Sequence, residues 1–124
     1  MVRRYTKEDF GQIKEWGEKW GSTYDSDLFP ETGFIWPGVA CYFLYKTDSK
    51  VCYLENMVRN PDIPKEVTDL ALQSIITHIL REARDLGFKM AYATTASDAV
   101  VDRALQHSAE ATRGQTLLAL RFKN

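Results

Sequence analysis

The stretch from Val39 to Tyr45 constrains the fold more than any other part of the sequence. Successive side chains of a strand point to opposite faces. Here both alternations are apolar, with Val39, Cys41, Phe43 and Tyr45 on one side and Ala40, Tyr42 and Leu44 on the other. A strand of that kind must be covered on both faces. The spacing therefore predicts a central strand with helices packed above and below the sheet. The chain has 124 residues, 44% of them hydrophobic, enough for one real core. A single domain over residues 1–124 is expected, of mixed α/β (α+β) class with a mostly antiparallel sheet.

A second strand, Val51 to Val58, follows a tight turn at Thr47-Asp48-Ser49-Lys50. With Asp48 and Ser49 as the two turn residues, Cys52 faces Tyr45, Glu55 faces Tyr42 and Cys41 faces Asn56. The two sulfurs then lie roughly 13 Å apart along the ladder, beyond disulfide reach. Both cysteines read as buried thiols of a reducing compartment, the cytoplasm.

The remaining elements follow from periodicity and caps. Val2 to Tyr5 reads as an edge strand. Thr6-Lys7-Glu8-Asp9 has the form of a capping box, and Phe10, Ile13, Trp16 and Trp20 recur at helical spacing, so a helix is expected from Lys7 to Trp20 with its stop at Gly21. Gly17 inside it predicts a kink or an early end. Ser22 to Gly38 holds Asp25, Asp27 and Glu31 without a Lys or Arg, among several aromatic residues, and reads as a long ordered loop with room for one helical turn. Val67, Leu70, Ala71, Ile75, Ile79 and Leu86 form one apolar stripe after Pro64, predicting a long helix closed by Gly87. A strand over Phe88 to Thr95, a short helix capped by Ser97-Asp98 and reaching His107, and a terminal strand over 117–122 complete the order.

Several classes of function are excluded at this stage. No run approaches ~18 apolar residues, and the start is charged, so neither a membrane span nor a secretory signal is expected. Sixteen Lys and Arg against seventeen Asp and Glu leave a net charge of −1, against nucleic-acid binding. His78 and His107 have no ligand partner at metal spacing, so no metal site is expected.

The order of elements resembles the GNAT (Gcn5-related N-acetyltransferase) family, and the resemblance covers nearly the whole chain. Small members of this kind occur in bacteria and tailed phages. The resemblance implies a mixed, mostly antiparallel sheet with helices on both faces, acetyl-CoA as cofactor and transfer of its acetyl group to a primary amine on a small molecule or protein. It places the pyrophosphate where the second hairpin strand gives way to the long helix. That assigns cofactor binding to Met57, Val58, Lys65, Glu66, Val67, Thr68 and Asp69. The family's Gly-rich signature is absent there, where the sequence reads Pro61-Asp62-Ile63-Pro64-Lys65-Glu66. The family's leaving-group Tyr falls near Ala104 or Leu105, and its Gly-Phe turn is replaced by Ser108-Ala109.

Glu55 is the catalytic candidate, a carboxylate in a largely apolar setting on the strand where the family places a general base. Tyr24, Asp27, Phe29, Trp36 and Tyr92 are the substrate-binding candidates, because acidic and aromatic groups together receive a cationic amine. Thr94 and Thr95 sit beside them, where a sheet of this type splays. A second reading stays open: a GNAT-fold protein without CoA binding that engages a host or virion protein, in the host cytoplasm if phage-encoded.

Overall fold

The computed structural model describes residues 1–95, 101, 102, 105, 110–115 and 117–122. Residues 1–94 and residues 95–124 form two compact units. In the first, five strands lie in the order β1 (Arg3–Arg4), β2 (Gly33–Trp36), β3 (Ala40–Tyr45), β4 (Val51–Arg59) and β5 (Met90–Ala93). The first four are antiparallel and β5 runs parallel to β4. Helix α1 (Phe10–Lys19) covers one face and α2 (Lys65–Asp85) the other.

The two-sided strand is the middle of the sheet, as its pattern requires. Ala40, Tyr42 and Leu44 pack with Phe34, Cys52 and Leu54 against Ala71, Ile75, Ile79 and Ala83 of α2. Cys41 and Phe43 pack with Tyr5, Ile35 and Val58 against Ile13 and Trp16 of α1. The cysteines are free, buried and on opposite faces.

Three expectations are corrected. The hairpin register is displaced, because Tyr45 pairs with Tyr53 and Phe43 with Glu55, so Glu55 does not face Tyr42. The Ser49 amide donates to the Thr47 hydroxyl oxygen and the Val51 amide to the Ser49 hydroxyl oxygen, in place of a two-residue turn, which lengthens the connection. The register then shifts again, so that Cys41 pairs with Val58. Asn56 lies at this bulge with φ 60°. One extra residue reverses the sides of a strand, and Leu54 accordingly packs on the α2 face while Val58 packs on the α1 face.

Gly17 does not end α1, which runs on to Lys19. A Cβ at Gly17 would stand 2.3 Å from the Tyr24 ring, so the glycine admits that ring to the helix surface. The helix stops at Gly21, φ 84°, where the amides of Gly21 and Ser22 return to the carbonyls of Glu18 and Gly17. The expected loop over 22–38 contains a 3-10 turn (Ser26–Leu28) and the whole of β2, whose Phe34 and Ile35 fill opposite faces. Arg3 and Arg4 are exposed, yet both are paired. Arg3 makes a two-pronged bond to Asp9, and Arg4 makes one to Glu82 that ties β1 to α2.

In the second unit Val101, Asp102 and Leu105 are helical. The rest of the helix expected from Ser97 to His107, with Ala104, Ser108 and Ala109, lies outside the described residues. Leu117 to Phe122, expected as a terminal strand, take no regular structure, and Leu117, Leu118, Leu120 and Phe122 are exposed.

Candidate functional site

The site follows from an unequal pair of strands. β4 runs on to Arg59, but β5 ends at Ala93, whose partner is Leu54. Residues 55–59 of β4 therefore have no strand beside them on that side within residues 1–94. Glu55 is the first residue of this open run. Its carboxylate accepts the Thr94 hydroxyl at both oxygens, at 3.1 and 3.0 Å, immediately past the end of β5.

Tyrosines stand beside Glu55 in the sheet. Tyr53 pairs with Tyr45 on one side and Tyr92 on the other, and the Tyr53 and Tyr92 rings lie 5.7 Å apart. The Asn56 side chain at the bulge donates to the Tyr45 oxygen, and the Tyr45 hydroxyl donates to the Leu28 carbonyl at 3.0 Å. The bulge thus anchors the turn that carries Asp27, itself exposed. Burial, and to a smaller extent the charge of Glu55, pushes the Tyr42 hydroxyl up to about 12. Tyr42 donates to the Leu54 carbonyl and stays protonated at neutral pH.

Further along β4 lies a cleft of about 330 Å³ lined by Trp20, Tyr24, Met57, Val58 and Arg59. Trp20 Nε1 donates to the Arg59 carbonyl at 2.8 Å, and the Arg59 guanidinium stands 4.4 Å over the Trp20 ring. The end of α1 is thereby fixed to the end of β4.

The structure brings together Glu55 and Tyr92 around the strand split, and Tyr24, Met57 and Val58 in the cleft. It does not bring Phe29 or Trp36 to either place. Phe29 is a packing residue, edge-on to Phe10, Tyr24 and Phe43. Trp36 packs against the cluster on the α2 face. Asn56, Trp20 and Arg59 were not among the sequence candidates. An Asn inside an apolar strand, a residue disfavoured in sheets and tolerant of positive φ, was the available sign of the bulge.

No family model matches the chain, and no curated protein matches it. Solved structures do. An acetyltransferase from Trypanosoma brucei superposes with a TM-score of 0.67 at 14% identity, over 97% of this chain and 99% of that one. An aminoglycoside acetyltransferase from an uncultured soil metagenomic sample, in complex with sisomicin, gives 0.67 at 15%, over 98% and 96%. A Mycobacterium tuberculosis protein in complex with CoA gives 0.63 at 17%, over 96% and 76%. The fold is that of the GNAT acetyltransferases.

A GNAT fold raises the question of where the pyrophosphate of CoA would be held. Anions are received at a helix start by free backbone amides. Between Asn60 and Thr68 these are nearly all absent or engaged. Pro61 and Pro64 have none. The amides of Asn60, Asp62 and Ile63 bond to the Val39 carbonyl, the Asn60 side chain and the Asn60 carbonyl. Those of Val67 and Thr68 both bond to the Pro64 carbonyl at 3.1 Å. Lys65 and Glu66 remain. Thr68, expected to help hold the cofactor, is buried with its hydroxyl unpartnered. Glu66 and Asp69 carry the wrong charge, and Asp62 is paired with Lys19. Apart from Lys65 and the amides of Lys65 and Glu66, the residues described there do not fit a pyrophosphate.

Proposed function

We propose that the chain is an N-acyltransferase that moves a small acyl group, acetyl in the simplest case, from a thioester to a primary amine on a small molecule or a protein. The Glu55 carboxylate held by Thr94 at the point where β5 leaves β4 carries this reading. Likeness to acetyltransferase structures supports the same class. An ammonium group approaching Tyr53 and Tyr92 meets aromatic rings and a carboxylate together, the pairing that favours cations over neutral groups. Glu55 takes one proton and frees the nitrogen lone pair for the acyl carbon, work contributing roughly 10²–10⁴ in rate for a well-placed base.

The test is thiol release from an acetyl thioester in the presence of spermidine, a lysine-containing peptide or a peptide with a free N-terminus, against an amine-free control. Release that rises with one of the amines is expected. Release at the control rate with all of them overturns the reading.

A second reading is favoured by the engaged amides between Asn60 and Thr68: a GNAT-fold binding protein that uses the acidic aromatic face to hold a cationic group of a host or virion protein. It predicts a melting temperature that rises with the amine while no acyl transfer occurs.

A further inference from the structure

We infer that the acyl donor is held by its thioester arm alone, without contacts to a nucleotide diphosphate. This rests on the transferase reading above and goes beyond it by naming the donor. Its basis is the contrast between the two ends of the donor path. At the α2 end, the two prolines, the amides engaged by Val39, Asn60 and Pro64, and the carboxylates of Glu66 and Asp69 leave, among the described residues, only Lys65 and the amides of Lys65 and Glu66 for several phosphate charges. Asp62 stands at the same end, held 2.7 Å from Lys19 of α1, so that one nearby cation is already neutralised.

At the β4 end the opposite holds. Residues 55–58 present a strand edge with no strand beside it in residues 1–94, the Arg59 carbonyl being taken by Trp20. Such an edge recognises an extended, amide-bearing chain through its own backbone groups. The adjoining cleft offers Trp20, Tyr24, Met57 and Val58 to methylenes and to the sulfur, with Arg59 as the one cation among its lining residues. Its volume of about 330 Å³ lies at the low end of the ~300–1,000 Å³ spanned by small-molecule sites, room for a thioester arm.

The donor class is therefore an S-acyl thiol with an amide-bearing arm. In the transfer, the ammonium gives one proton to Glu55. The nitrogen then bonds to the acyl carbon, and the carbon–sulfur bond breaks. The second nitrogen proton leaves with the thiolate, giving an amide and a free thiol. The chain needs no further reactant.

The experiment compares kcat/KM for acetyl-CoA and for S-acetyl-N-acetylcysteamine, which keeps the thioester and one amide, with the same amine. An enzyme that uses remote contacts loses rate when they are cut away. Here the two donors are expected to agree within about threefold, since no remote contact is made. Millimolar adenosine 3′,5′-bisphosphate should leave both rates unchanged. A preference for acetyl-CoA of about tenfold or more, or inhibition by the bisphosphate, overturns the inference while the transferase reading stands. Transfer from neither donor overturns both.

Discussion

The Thr94 hydroxyl reaches both carboxylate oxygens of Glu55, at 3.1 and 3.0 Å, across the place where two parallel strands part company. A carboxylate there could swing towards solvent, but this hydrogen bond fixes it against the aromatic face. Replacing Thr94 by Val should lower kcat about tenfold, the order expected for losing one hydrogen bond to a charged group. KM for the thioester should hardly change, and Thr94→Ser should restore the rate. Equal rates for Val and Thr would remove Thr94 from the site.

Gly17 and Gly11 both lie in α1, yet substitution should act in opposite directions. Alanine at Gly11 meets nothing within 4 Å and is expected to stabilise the helix by about 0.5–1 kcal/mol. At Gly17 the added methyl collides with the Tyr24 ring, and overpacking of that kind costs roughly 1–3 kcal/mol. Denaturant midpoints of the two variants check the sign. The Gly17 variant should also weaken thioester binding, because Tyr24 lines the cleft.

Both cysteines should be silent to a thiol reagent in native buffer. Burial pushes the Cys41 thiol up to about 12, and burial raises Cys52 as well. Reactivity requires the thiolate, so modification should appear only with unfolding and follow its rate. Modification of the folded protein within the mixing time would contradict the packing described.

Acid should unlock β1. The Arg3 guanidinium holds Asp9 below the usual carboxylate range, and Arg4 does the same for Glu82. A carboxyl lowered in the folded state stabilises the protein above its unfolded value, and that contribution fades as pH falls through the folded one. The loss is therefore confined to pH below about 4. In urea melts between about pH 6 and pH 3, the double variant Asp9→Asn, Glu82→Gln should lose less stability than the wild type. Parallel declines would show that the pairs contribute nothing.

The fold was legible wherever a pattern had one physical solution. An apolar run on both faces, as at Ala40 to Leu44, can only be a covered strand, and the stripe from Val67 to Leu86 can only be a long helix against a sheet. What escaped were features set by tertiary partners. β2 was hidden because Gly33 to Trp36 is short and lies among turn residues, and its pairing with β3 makes it a strand. Gly17 reads as a helix breaker until the Tyr24 ring is seen against it. The hairpin register depends on side-chain bonds in the turn and on the bulge at Asn56, which no alternation pattern encodes. For the site, Glu55 could be named from its strand. The cleft could not, since Trp20 and Arg59 meet only when α1 docks on β4.

The central claim, that Glu55 is the base of an amine acyl transfer, is tested most directly by the initial rate of amine-dependent thiol release for Glu55→Gln beside the wild type at equal folded concentration. The account predicts a fall of roughly 10²–10⁴ in kcat with the melting temperature nearly unchanged. A Glu55→Gln protein that releases thiol at the wild-type rate would contradict it.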